Sequence, residues 1–242
     1  MNGRWTAPLV AVGFTCATIV AFSAAARLHP QLPGVWGIAS ATISTSSVIL
    51  LAAWAASRMW NVPLRVRKVS SVASALIAVA WLASASVTVD AVTTQLGFTT
   101  AAESTVVMLR SASTPRFLFV AVAIAILPAI SEEALFRGAI GLYVEREAGV
   151  VVSFVTTSIL FGAIHLSPYQ GVQAALLGLV LHAIARREGL SVAILAHATN
   201  NFAFAWVARI NVAPSTTWTI VFGSLIFGAL SFVYLHRRTS PG

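Results

Sequence analysis

The chain has 242 residues, of which 58% are apolar and only 9% charged, against about 25% charged in an ordinary soluble domain. So few polar side chains cannot cover a water-facing surface, which excludes a soluble globular domain, a disordered chain and a nucleic-acid-binding module and leaves a polytopic membrane protein. The net charge of +8 comes from 15 basic residues against 7 acidic ones, and the basic residues fall mostly between apolar runs, as membrane topology requires.

Crossing about 30 Å of hydrocarbon as a helix takes about 20 apolar residues. Runs of that kind lie near residues 7–26, 37–57, 70–90, 117–143, 149–166, 170–185, 189–209 and 216–236. They are too long and too uniform for barrel strands. The expected fold is therefore all-α, a transmembrane bundle of about eight helices. Run one has a second reading: Arg4, an apolar stretch and then Ala24-Ala25-Ala26 resemble a signal peptide. The lone Cys16 lies in the same run and excludes an intrachain disulfide.

With the N-terminus inside, the inner segments hold Arg4, Arg58, Arg65, Arg67, Lys68, Arg146, Arg186, Arg187, Arg237 and Arg238. The outer segments hold Arg27, Arg110, Arg116 and Arg209. That asymmetry favours both termini in the cytoplasm, and the arginine-rich composition suggests a bacterial cytoplasmic membrane. Residues 91–116 form the longest non-spanning stretch, expected as an amphipathic interfacial segment or loop on the outer side. The chain divides into N-terminal helices and interfacial segment (1–116), a polar-rich helical core (117–210) and a C-terminal helix and tail (211–242), all within one membrane domain.

The fourth run carries Glu132, Glu133 and Arg137 inside IAILPAISEEALFRGAI. Each such charge costs about 2.5–3.5 kcal/mol near a membrane helix centre, so an intramembrane ionisable group is a functional candidate by default. Glu133 and Arg137 are four residues apart and share a face, as an ion pair requires. Glu132 points about 100° away and is free to face a cavity, where it suits a general base. Pro128, one turn earlier, removes a backbone hydrogen bond and is expected to kink the helix.

The fifth run ends in SILFGAIHLSP, with Phe161 one turn before His165. The seventh reads LSVAILAHATNNFAF, where His197 and Asn201 share a face. Such a pair serves as interhelical glue, a metal ligand or an oxyanion donor. Asp90 and His182 read as structural, the latter lacking a polar companion at helical spacing; His29 and His236 read as interfacial.

Glu-Glu-x-x-x-Arg, then Phe-x-x-x-His, then His-x-x-x-Asn, on three helices in that order, resembles the CAAX-processing and bacteriocin-protection family of intramembrane proteases (CPBP, also called Abi). The resemblance covers roughly residues 115–210, with all three motifs intact. It implies an endopeptidase acting on a protein or peptide at the lipid bilayer. Glu132 would activate water with the help of His165, and His197 and Asn201 would stabilise the oxyanion. Glu133, Arg137 and Phe161 would support the site. It leaves open whether Zn²⁺ takes part. Glu132, His165 and His197 are a conceivable ligand set, but Asn is a poor zinc ligand and the HExxH signature is absent. Two other classes remain: a proton-coupled transporter built on the same ionisable groups, and a non-catalytic membrane scaffold or immunity factor. One depth mismatch stands out, because Glu132 would lie mid-membrane and His165 near the outer end of its helix.

Overall fold

The computed structural model describes residues 6–28, 32–64, 71–97, 103–210, 224–231 and 233. Arg4, His29, Arg65, Arg67, Lys68, His236, Arg237 and Arg238 lie outside the described residues. Among the described residues, five helical stretches are long and apolar enough to cross a membrane: residues 6–25, 35–59, 72–95, 114–148 and 190–210. The protein is an all-α integral membrane bundle. No strand occurs among the described residues.

The first three helices are α1 (Thr6–Leu28), α2 (Val35–Met59) and α3 (Val72–Gln95). Small side chains set their packing. Ala7, Ala11, Ala53, Ala56 and Ala78 are at most 1% exposed, and in a bilayer such residues let backbones approach closely. Ser71 caps α3 by accepting from the Ser74 amide at 3.0 Å.

Residues 91–116 are not one loop. Residues 91–95 finish α3, and α4 (Glu103–Ser111) follows. Leu109 of α4 is fully buried. Its C-terminus is tied to that of the last core helix, α9 (Leu190–Ile210). Arg110 donates to the Ala208 carbonyl at 2.9 Å and Arg209 donates to the Leu109 carbonyl at 2.9 Å. Each arginine thus satisfies carbonyls that the other helix end leaves without partners.

The 35-residue stretch Thr114–Ala148 is helical throughout but not uniformly α. It runs through Pro128 as α5 (Thr114–Glu133), widens to a π-helix over Ala134–Ile140, and returns to α geometry in α6 (Gly141–Ala148). The irregularity begins immediately after the two glutamates, and all seven π residues are buried. Single π turns inside α-helices are frequent at functional sites.

The fifth run is shorter than its apolar length indicates. α7 (Val150–Ala163) has 14 residues and reaches only about 21 Å. It turns at residues 164–167 into α8 (Pro168–Glu188). Gly162 permits this hairpin to close. A Cβ at that position would stand 2.4 Å from the Gly171 carbonyl oxygen across the interface. At the opposite end, Gly149 (φ 91°) and Gly189 (φ 97°) each join two helices through a single residue. Only glycine adopts that backbone without a steric cost.

Two clusters hold the bundle. One joins Ile49, Ala78 and Leu82 to Leu135, Phe136, Phe161, Leu181 and Val192, so both halves of the chain share it. The other gathers Val35, Leu109, Phe117, Val120 and Ala205 near α4. Of the eighth run, residues 224–231 are helical.

Candidate active site

Glu133 and Arg137 straddle the start of the π segment, and the expected pair forms. Arg137 Nη1 donates to Glu133 Oε1 at 2.9 Å. Glu133 is 0% and Arg137 5% exposed. The pair is more than an intrahelical contact. Arg137 Nη2 donates to the Gly178 carbonyl of α8 at 3.0 Å, and its guanidinium lies 4.3 Å from the Phe161 ring centre. Gly178 makes room for this: a Cβ there would meet Arg137 Nη2 and Phe161 Cδ1, both at 3.3 Å. Several partners surround this buried cation, as its desolvation demands.

His197 of α9 reaches the same glutamate. Its Nδ1 lies 2.9 Å from Glu133 Oε1, and its Nε2 lies 3.8 Å from Glu132 Oε2. A carboxylate only accepts, so Nδ1 carries the proton and donates to Glu133. Two neighbouring carboxylates that diverge around the helix therefore stand at opposite nitrogens of one imidazole. Glu132 keeps 12% side-chain exposure, whereas Glu133 keeps none. The charge count is informative. With a neutral His197, the two glutamates and Arg137 sum to −1; with an imidazolium they sum to zero.

α7 is shorter than a full membrane span. His165 does not sit at the end of a full span; it follows a helix that stops after 14 residues. The Phe161 ring makes edge contacts with both histidines, at centroid distances of 5.2 Å to His165 and 5.7 Å to His197. His165 is half-buried. Its Nδ1 lies 2.8 Å from the Phe161 carbonyl. A carbonyl cannot donate, so that nitrogen carries the proton and Nε2 keeps the lone pair in the neutral ring.

Asn201 also meets a backbone group. Its Nδ2 lies 3.5 Å from the Ile124 carbonyl on α5. That carbonyl is the one an α-helix would bond to the amide of residue 128, and Pro128 has no N–H. The proline in α5 thus frees the acceptor that α9 uses. Distances at this limit mark a weak bond.

The three motifs converge through Arg137, Phe161 and His197. A cavity of about 660 Å³ opens beside the site. It is lined by Asn61, Arg137, Gly141, Glu145, His182 and Arg186 among others, and Glu132 is not in its wall. His182 has the polar companion that helical spacing lacked: Thr157 of α7, at 2.8 Å from Nδ1. No pattern along one helix could reveal a partner on another. Among the described residues, no group of three or more His, Cys, Asp or Glu side chains is arranged to hold a metal ion. Both histidines commit Nδ1 to the protein, to Glu133 and to the Phe161 carbonyl.

Residues 114–203 match the family model described as type II CAAX prenyl endopeptidase Rce1-like. No curated protein and no solved structure matches the chain. The matched segment contains Glu132, Glu133, Arg137, Phe161, His165, His197 and Asn201, and over it the chain is similar to the CPBP, or CAAX-protease, family of intramembrane endopeptidases.

Proposed function

We propose that Glu132, His165, His197 and Asn201 form the catalytic group of a metal-free glutamate endopeptidase. Its substrate is a membrane-associated protein or peptide, presented in extended form because helical hydrogen bonds shield a scissile bond. The arginine-rich loops, and with them both termini, face the cytoplasm of a bacterial cell. One observation carries the reading: the His197 ring stands between two carboxylates in a buried site.

In this scheme Glu132 takes a proton from water, and the hydroxide attacks the peptide carbonyl. His165 Nε2 accepts from the same water and orients it. The tetrahedral oxyanion receives hydrogen bonds from His197 Nε2–H and the Asn201 amide. His197 donates there only as an imidazolium, the state in which the four charged groups sum to zero. Collapse breaks the C–N bond, and Glu132 returns its proton to the leaving amine. Glu133 and Arg137 hold the imidazole in place and touch no reacting atom.

The test is cleavage of a quenched peptide library by the purified protein in detergent, with and without phenanthroline. Glu132→Gln should lower turnover by about 10²–10⁴-fold, the usual contribution of a general base, while the folded yield stays unchanged. Chelator should have no effect. Turnover abolished by chelator and restored by zinc would instead make the histidines metal ligands. Absence of any Glu132-dependent cleavage would favour a scaffold, and a Glu132-dependent proton flux in liposomes would favour a transporter.

A further inference from the structure

Asp90 lies on α3, outside the matched segment, and points to the catalytic group only through its partners. It is half-buried near the helix end at Gln95. Its Oδ1 accepts from the Tyr169 hydroxyl at 3.1 Å and from Gln173 Nε2 at 3.2 Å. Gln173 Nε2 also lies 3.0 Å from Thr93 Oγ1 and 2.9 Å from the Tyr169 hydroxyl oxygen. Tyr169 and Gln173 occupy the first two turns of α8. A carboxylate and a hydroxyl of α3 therefore grip the start of α8, and bonds to an ionised acceptor are the stronger kind.

The start of α8 is one side of the turn that carries His165, and that turn is strained. Leu166, the next residue, has φ 55°. A Cβ makes this left-handed backbone unfavourable. The helix tightens on the way in: the His165 amide bonds the Gly162 carbonyl at 3.2 Å and the Leu166 amide bonds the Ala163 carbonyl at 3.3 Å. That tightening leaves the Phe161 carbonyl for His165 Nδ1. The local cap is weak, because Ser167 Oγ stands 3.5 Å from the Gln170 amide it accepts from. Strained backbone persists only where its surroundings over-determine it. On the α7 side the Gly162–Gly171 contact does this, and on the α8 side the grip of α3 does.

We propose that Asp90 is a positioning residue for His165: through Tyr169 and Gln173 it fixes the α7–α8 turn in the geometry that presents the imidazole. Its place in the reaction rests on the catalytic reading of His165, but its grip on the turn does not.

The test uses the full chain in detergent and two readouts. Hydrogen exchange across residues 162–168 in Asp90→Ala should quicken at least about tenfold, while the exchange of α5 and α9 stays unchanged. In the same variant kcat should fall about 10- to 100-fold, the cost of misplacing a catalytic group by about 1 Å, with KM within about twofold. Asp90→Asn keeps an accepting oxygen and should restore most of the rate. In a His165→Ala background, Asp90→Ala should cost nothing further, because coupled residues are non-additive. Tyr169→Phe with Gln173→Met removes the donors and leaves α3 intact; it gives the same readouts if Asp90→Ala does not fold. Unchanged exchange at the turn, or a kcat loss that multiplies fully with that of His165→Ala, overturns the proposal. If the wild type shows no Glu132-dependent turnover, the enzymatic reading has failed, and the exchange of the turn alone decides whether Asp90 anchors it.

Discussion

The helices before residue 114 and those after it bury polar groups in different ways. In α1–α3 the buried polar residues are hydroxyls: Thr15, Thr18, Ser46, Ser74 and Thr93. Several hydroxyls of this half bond back to their own helix, as Thr18 does to Phe14, Thr42 to Ile38 and Thr88 to Ser84. From α5 onward the buried set also includes Glu133, Arg137, His182, Glu188 and His197, and several of their bonds run between helices. Arg137 reaches α8, His197 reaches α5, and Thr157 meets His182. A back-bonded hydroxyl needs no neighbour and specifies none. A buried charge must find its partner, so it fixes how helices meet. One half supplies a frame held by small residues, and the other supplies a site held by polar contacts. Asp90 is the point where the frame takes hold of the site.

The sharpest way to break this contrast is at its centre. Arg137→Met should destabilise the protein by about 3–5 kcal/mol, because it strands a buried carboxylate. Thermal unfolding in detergent measures it. Adding Glu133→Gln should recover part of that stability, since removing both charges leaves less to compensate, while turnover stays lost because His197 has lost its anchor. A single variant as stable as wild type would show that the buried pair contributes no more than the hydroxyls of α1–α3.

Much of this site was legible along single helices. Glu133 and Arg137 sit at i and i+4, a spacing written in the sequence, and their pair forms. The divergence of Glu132 from Glu133 was legible as well, but not that the two would clasp one imidazole, because His197 is 64 residues away from Glu133. The end of α7 was hidden for a different reason. Residues 149–166 contain no Asp, Glu, Lys or Arg, and only a left-handed Leu166 before the Ser167-Pro168 start of α8 marks the stop. The π segment leaves no residue-type signature at all. Asp90, close to an interface in the sequence, reads as structural, and its partners lie 79 and 83 residues on, beyond the reach of any periodicity.

Pro128→Ala gives a smaller effect with two signs. The substitution restores an amide that can bond the Ile124 carbonyl, and interior proline is costly to a helix. The unfolding temperature should rise. Asn201 then competes for that carbonyl with a backbone donor that holds it better. Turnover should fall about tenfold, which corresponds to about 1.4 kcal/mol of lost transition-state stabilisation. A variant that is both more stable and equally active would detach Pro128 from the site and leave it as a local feature of α5.

The smallest effect is expected where the same substitution is made in both halves. Thr42→Val and Thr88→Val each remove a hydroxyl that serves only its own helix, and the carbonyl it leaves still has a helical amide within reach. Each should change stability by less than about 0.5 kcal/mol, as surface-like substitutions do. Thr157→Val is isosteric too, but its hydroxyl faces His182 Nδ1 at 2.8 Å between two helices. Its loss leaves a buried ring nitrogen without a partner, which costs about 1–3 kcal/mol. Unfolding of the three variants in one detergent compares them directly. Equal losses would mean that the halves differ in which residues they bury but not in what those residues do; a loss confined to Thr157→Val means that contacts between helices, rather than polarity alone, set the second half apart.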